Sequence, residues 1–184
     1  MSVEHCTHVK VARLSITAPG TSPNTDGIHI TQQKCTGHGL RNRNRARLHY
    51  QHRQHGSEAR VTNVNVDTAM RHGTTNGARI KTWQGGRGCA KNIVFQNMIV
   101  DNVLKPIIID QNYCDSATPC KKKRSAVEVS SVLFKNIRGT SASKEAIKLR
   151  CSTSVPCHGI ALHNVNLTLE GDDEDAKSSC VNVE

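Results

Sequence analysis

Four side chains in this sequence have types and spacings that could do chemistry. Asp26 precedes a glycine, where a carboxylate could act as a general base or serve only as a turn residue. His38 lies between two glycines, which let the backbone approach a ligand closely, and its imidazole titrates near neutral pH. Arg79 and Lys81 are two residues apart, so on a β-strand both would lie on one face. Such a pair of cations suits a carboxylate ligand, with a solvated strand face as the alternative.

The cysteines indicate disulfide bonds. Eight cysteines in 184 residues are typical of an oxidising compartment. Cys114 and Cys120 share their spacing with Cys151 and Cys157, and each pair could close a small loop worth roughly 2 kcal/mol if the geometry allows. No pair of Cys or His has the spacing of a zinc site, so we expect no metal and no cofactor, with metal binding as the weaker alternative.

The charge balance favours a polyanionic partner. The net charge is +10 and the pI is near 9.4, which suits a nucleic acid or an acidic polysaccharide. Much of the excess lies in residues 40–55, an irregular basic insert rich in Arg, His, Asn and Gln without apolar periodicity. Residues 170–184 open with an acidic run and are predicted to form an acidic C-terminal loop. No nucleic-acid-binding module is evident, so we expect no specific nucleic-acid partner.

Targeting signals are not evident. The first residues show no basic segment followed by an apolar one, so the sequence as given encodes no signal peptide. No apolar run approaches the ~20 residues of a membrane span, and we expect no membrane partner.

Short runs rich in Ile, Val and Leu must position these side chains. An Asn precedes an apolar residue in four places, at Asn63, Asn97, Asn136 and Asn164. An irregular repeat near thirty residues is typical of a solenoid whose bends stack asparagines. The sequence therefore predicts one all-β domain over residues 1–184, with a β-sandwich as the structural alternative. The predicted strands are 9–16, 27–30, 61–66, 78–82, 93–100, 106–110, 127–137, 146–149 and 159–169.

Three short motifs occur in a fixed order: Asn24-Thr25-Asp26-Gly27, Gly37-His38-Gly39 and Arg79-Ile80-Lys81. With the sequences at 22–30 (Ser-Pro-Asn-Thr-Asp-Gly-Ile-His-Ile) and 106–115 (Pro-Ile-Ile-Ile-Asp-Gln-Asn-Tyr-Cys-Asp), the chain resembles plant polygalacturonases, the pectin-cleaving family 28 of glycoside hydrolases. The resemblance implies a right-handed parallel β-helix, the pectin-lyase-like solenoid, present here in part. It also implies inverting hydrolysis of α-1,4-galacturonan, secretion to the cell wall, and a monomeric state for an intact relative.

The resemblance assigns binding roles to several residues. Arg79 and Lys81 would bind a galacturonate carboxylate. Gln111 and Tyr113 repeat the two-residue spacing, and the tyrosine would lie in the substrate cleft against a sugar ring; a capped strand end is the alternative for this pair. Asn166 opens an Asn-Leu-Thr acceptor for N-glycosylation if the chain enters the secretory pathway.

The catalytic residues implied by the resemblance are incomplete. Asp26 would help position and deprotonate the attacking water, and His38 would tune the protonation of the catalytic carboxylates. Family members carry Gly-Asp-Asp-Cys between the first two motifs, whereas only residues 31–36 separate them here. The missing segment would hold the general acid and the cysteine that pairs with Cys35. Gly171-Asp172-Asp173 follows the other motifs and is predicted to be a solvated loop rather than a replacement.

We therefore expect a glycosidase by family whose own hydrolytic activity is slight or absent. A non-catalytic pectin-binding relic and an adventitious polyanion or nucleic-acid binder are the alternatives. The sequence also begins inside the family pattern, which predicts open strand edges, marginal stability and association, with residues 61–169 the best ordered part.

Overall fold

The structure, a computed structural model, describes residues 2–4, 29–31, 40–42, 59–114, 118, 120–121, 123–171 and 175–184. In these residues every regular element is a strand. Among them, no membrane-crossing helix is found. The strands are β1 (Ser2–Glu4), β2 (His29–Thr31), β3 (Leu40–Asn42), β4 (Ala59–His72), β5 (Asn76–Trp83), β6 (Gly88–Val103), β7 (Lys105–Tyr113), β8 (Glu128–Ser141), β9 (Glu145–Arg150), β10 (His158–Leu169) and β11 (Lys177–Val181).

Two parallel sheets contain most of these strands. One has the order β10-β8-β6-β4-β3, and the other has the order β11-β9-β7-β5; β1 and β2 form a separate parallel pair. From β4 onward the chain alternates between the two large sheets, so each coil contributes one strand to each of them. This winding confirms the predicted right-handed parallel β-helix, and the β-sandwich alternative is wrong because the strand ladders are parallel.

Inward side chains stack from coil to coil to form the core. Phe95 of β6 lies over Phe134 of β8 with ring centroids 5.3 Å apart and planes within 4° of each other. In the other sheet, Ile109 of β7 is the register partner of Leu149 of β9, and both are buried. The few aromatics and many aliphatic residues therefore fill a narrow core between two sheets.

Bends in the long strands carry residues with positive φ that lie in register. Asn97, Asn136 and Asn164 have φ of 55°, 52° and 52° and follow one another in successive coils. Asn136 Nδ2 donates to Asn97 Oδ1 at 3.0 Å, and Asn164 Nδ2 donates to Asn136 Oδ1 at 2.9 Å. Asparagine suits these positions because it tolerates left-handed backbone and its amide bonds to the next coil.

Asn63 does not belong to this row, contrary to the sequence prediction. The register of β4 with β6 aligns it with Asn92, whose Nδ2 donates to Asn63 Oδ1 at 3.1 Å. The position above Asn97 is occupied by Thr68, which also has positive φ. The long strands therefore bend at more than one position, as at Asn92, Asn97 and Asn102 of β6, and a single asparagine spacing does not describe all of these bends.

Two segments predicted to be irregular contain strands. Leu40–Asn42, at the start of the basic insert, pairs with residues 64–66 of β4. Lys177–Val181, within the predicted acidic loop 170–184, pairs with β9. Backbone hydrogen bonds form these pairs without an apolar pattern, which explains why the sequence missed them. The predicted strand 9–16 and the rest of the insert lie outside the described residues.

Candidate functional site

The outward face of the sheet formed by β5, β7, β9 and β11 brings together three of the four predicted binding residues, Arg79, Lys81 and Tyr113. On β5, Ala78 and Ile80 point into the core, so Arg79 and Lys81 lie on the opposite, outward face. This arrangement is the one expected from their two-residue spacing. Lys81 is nevertheless only 4% exposed, so its ammonium group has lost most of its contact with water.

Tyr113 lies against both cations. Lys81 Nζ is 3.7 Å from the centroid of its ring, and Arg79 Cζ is 5.3 Å from the same centroid. A cation near an aromatic face is attracted by the ring quadrupole, by about 2 kcal/mol when it is desolvated. We call Arg79, Lys81 and Tyr113 the cationic cluster.

A β-bulge turns Tyr113 toward this cluster. Lys81 pairs with Asp110 and Trp83 pairs with Tyr113, so two residues of β7 face one residue of β5. An extra residue reverses the alternation of faces beyond it. Gln111, which is fully buried, and Tyr113 therefore lie on opposite faces although they are two residues apart.

Both polar atoms of the Gln111 side-chain amide form hydrogen bonds inside the protein. Its Nε2 donates to the carbonyl of Val127 at 2.7 Å, and its Oε1 accepts from the amide of Ser152 at 2.8 Å. The Sγ atom of Cys157 lies 3.2 Å from the same oxygen. This geometry argues against the predicted direct contact of Gln111 with substrate, because both amide atoms are engaged and shielded from solvent.

Two disulfide bonds lie at the ends of the site strands. Cys114, the residue after β7, is bonded to Cys120, and their Cα atoms are 5.8 Å apart. Cys151, the residue after β9, is bonded to Cys157 at a Cα separation of 5.7 Å. These are the two pairs that the equal spacings predict. Both separations lie in the ordinary range, so the bonds close the loops without moving the strands.

Charges near the start of the strands of the same sheet are paired. Glu145 of β9 accepts hydrogen bonds from Ser179 at 2.6 Å, from Lys148 at 2.9 Å and from Lys105 at 3.0 Å. The Ser179 hydroxyl, followed by the two ammonium groups, lowers the pKa of Glu145 to about 2. Glu145 is therefore an ionised structural group, unsuited to donate a proton to a leaving group near neutral pH.

The structure places the remaining candidates elsewhere. Asp26, His38 and Cys35 lie outside the described residues. Asn166 is exposed on β10, in the other sheet, where an oligosaccharide would not meet the cationic cluster. Among the residues that the structure describes, no group of three His, Cys, Asp or Glu side chains could hold a metal ion.

Sequence reasoning missed Trp83. It follows Lys81 by two residues, and its register partner is Tyr113. Lys123 Nζ lies 5.3 Å from the Trp83 ring centroid. The two-residue spacing of positions 79, 81 and 83 could have predicted Trp83, since all three positions share one strand face.

Comparison with known proteins identifies the family. A sequence model of Glycosyl hydrolases family 28 matches residues 53–184. Polygalacturonase QRT2 of Arabidopsis thaliana is 41% identical over 100% of this chain and 47% of its own length. A polygalacturonase of Malus domestica is 42% identical over 98% of this chain and 44% of its own length. The chain thus spans about half the length of these relatives.

A solved structure shares the fold. The polygalacturonase from Erwinia carotovora ssp. carotovora matches with a TM-score of 0.64 at 20% identity, over 100% of this chain and 52% of that one. The alignment with the Arabidopsis protein runs over 215 positions although this chain has 184 residues, so at least 31 of those positions face gaps in it. The sequence model, which matches residues 53–184, shows that the chain belongs to glycosyl hydrolases family 28.

Proposed function

We propose that this chain binds α-1,4-galacturonan, the polymer of pectin, through the cationic cluster, as part of a polygalacturonase-type glycosidase of the plant cell wall. The observation that carries the proposal is the desolvated ammonium of Lys81 beside Arg79 and Tyr113 on the outer face of a β-helix. Each unit of the polymer carries a carboxylate and a pyranose ring. The two cations of the cluster would bind the carboxylate, and Tyr113 would lie against the ring.

The electrostatics favour an anionic sugar over a neutral one. A carboxylate that approaches Lys81 meets a charge that water screens weakly, so the attraction is stronger than at an exposed lysine. Arg79 adds a planar donor that can bind the same carboxylate bidentately. The net charge of +10 adds long-range attraction for a polyanion.

Hydrolysis has weaker support in this chain than binding. In the proposed mechanism Asp26 positions and deprotonates the water while His38 tunes nearby carboxylates. An inverting glycosidase also needs a protonated carboxyl about 6.5–9.5 Å from the base. The segment that would supply it is missing from the sequence between residues 31 and 36. We therefore propose that the chain holds galacturonan and hydrolyses it slowly or not at all.

A binding experiment with a matched control tests the proposal. Titration calorimetry with trigalacturonate should show that Lys81→Met weakens binding by ten- to a hundredfold, since a hydrogen bond to a charged group is worth about 1.5–3 kcal/mol. Lys91→Met is the control, because Lys91 is exposed on β6 in the other sheet. Its affinity should stay within about twofold of the unmodified chain.

Two results would contradict the proposal. One is an equal loss of affinity in both variants, which would mean that overall charge rather than the cluster governs binding. The other is salt-dependent binding to DNA without preference for polygalacturonate, which would favour the polyanion-binding alternative.

A further inference from the structure

We propose that Gln111 is a positioning residue: its buried side chain holds the β-bulge that turns Tyr113 toward Lys81. Its effect on ligand affinity rests on the proposed function, whereas its effect on the position of the tyrosine ring does not. Gln111 itself touches no outward-facing group of the cluster.

The buried amide joins segments from different coils. Val127, which accepts from Nε2, directly precedes β8, and Ser152, which donates to Oε1, lies two residues after β9. Gln111 is 0% exposed, so no water can replace either bond. A buried amide with both ends satisfied has one favourable orientation, since any other leaves polar groups unpaired.

The bulge needs such an anchor because its extra residue leaves the strand ladder. Two hydrogen bonds hold Asn112. Its backbone N–H donates to Asp110 Oδ1 at 3.0 Å, and its side-chain oxygen accepts from Gln84 Nε2 of the preceding coil. Gln111 supplies the inward attachment, to the coil that follows. With both in place, the backbone reaches residue 113 with its side chain outward.

Loss of the inward attachment would release this arrangement. In a regular ladder beyond residue 110, alternation would turn position 113 toward the core. The Tyr113 ring would then leave the ammonium of Lys81, from which its centroid is now 3.7 Å away. Lys81 would lose its aromatic partner.

The first test needs no ligand. Because the ring current of Tyr113 shifts nearby protons, the Lys81 side-chain methylene signals should lie upfield in NMR spectra of the unmodified chain. Gln111→Met keeps the length of the side chain and removes both hydrogen bonds, and we expect it to abolish at least half of this upfield shift. Unchanged Lys81 shifts in folded Gln111→Met would overturn the proposal.

Ser141→Ala is the matched control. Ser141 is also 0% exposed and its hydroxyl also bonds the backbone, donating to the Ser143 carbonyl at 2.7 Å, far from the cluster. It should lower stability while leaving the Lys81 shifts in place. Equal loss of the shifts in this control would also overturn the proposal, since general loosening would then explain the effect.

A double-mutant cycle with trigalacturonate supplies the second test. We expect Gln111→Met to weaken binding about tenfold alone and less than twofold on a Tyr113→Ala background, because a residue that acts through Tyr113 has nothing left to position. If the losses of binding free energy from the two substitutions simply add in the double variant, the proposal is overturned. If the unmodified chain does not bind trigalacturonate, the proposed function fails and the NMR test still decides the role of Gln111.

A milder variant covers the case in which Gln111→Met does not fold. Gln111→Asn keeps the amide but is one methylene too short to reach both Val127 and Ser152. We expect it to fold and to lose part of the Lys81 shift. A folded Gln111→Asn with the full upfield shift would contradict the proposal.

Discussion

The surroundings of Lys81 differ from those of a lysine exposed at the protein surface. Its side chain is almost fully covered, and the ring of Tyr113 lies 3.7 Å from its ammonium group. A site that keeps a cation poorly hydrated before the ligand arrives has less water to displace when a carboxylate binds. This would be the physical basis of the proposed preference for an acidic sugar over a neutral one.

Glu145 gives a prediction about pH. Its folded pKa of about 2 lies below the ordinary value of 4.5 for a glutamate, so its contribution to stability is full above about pH 4.5 and is lost as the pH falls through about 2. The unfolding free energy should fall between pH 5 and pH 2. We expect this fall to be smaller in Glu145→Gln than in the unmodified chain, by about 1 kcal/mol once solvent screening is allowed for.

Chemical denaturation at a series of pH values measures this effect. Ser179→Ala should produce part of it, because the Ser179 hydroxyl is the largest cause of the shift. Glu170→Gln, at an exposed turn, is the control. A Glu145→Gln profile parallel to that of the unmodified chain would show that the network does not stabilise the fold.

At the scale of elements, the sequence predicts strands better than it predicts their irregularities. The alternation of Arg79 and Lys81 about Ile80 follows from their two-residue spacing on a strand, and the structure has it. The bulge at Gln111 could not be found this way, because it depends on partners in Val127 and Ser152 that are distant in sequence. The fold class and the shared face of Arg79 and Lys81 were therefore predictable, and the relative orientation of Gln111 and Tyr113 was not.

The asparagine ladder gives a prediction about the bends. Asn136 donates to Asn97, accepts from Asn164 and has a φ of 52°. Asn136→Ala should cost about 2–3 kcal/mol, because it loses two hydrogen bonds and forces alanine into left-handed backbone. Asn136→Gly should cost about 1 kcal/mol less, since glycine adopts that backbone without strain.

Equilibrium denaturation compares these variants. Asn166→Ala is the control, since Asn166 is exposed on β10 and is not among the positive-φ residues, and it should change stability by less than about 0.5 kcal/mol. If glycine proved as costly as alanine at position 136, backbone strain would not explain the use of asparagine there.

The disulfides give a prediction about chemistry in solution. No Lys or Arg lies between Cys114 and Cys120 or between Cys151 and Cys157, so each bridge should appear within one tryptic peptide that is two hydrogens lighter than its reduced form. Cys35 should be found as a thiol, because the segment that would hold its partner is absent. Mass spectrometry of an unreduced digest decides this, and a Cys35 bridge to any cysteine would refute it.

At the scale of the whole molecule, each coil is stabilised by the coils on either side. The aliphatic and aromatic rows run from β4 to β10, so the two large sheets share one core, and the cationic cluster lies on the outer face of one of them. Marginal stability and association through strand edges stay predictions of the sequence.

The last prediction concerns hydrolysis by the whole chain. In the proposed function, galacturonan binds to one face of the β-helix, whereas cleavage by inversion requires two carboxyl groups across the scissile bond. Asp26 is proposed as one of them, and the Gly-Asp-Asp-Cys segment proposed to supply the other is missing between residues 31 and 36. Removal of a general acid alone typically costs a factor of about 10²–10⁴ in rate. Release of reducing ends from polygalacturonate should therefore be at least about a hundredfold slower than with a full-length family member assayed alongside. Preparations that bind trigalacturonate would show that the loss lies in chemistry rather than in folding, and turnover within tenfold of the relative would prove this wrong.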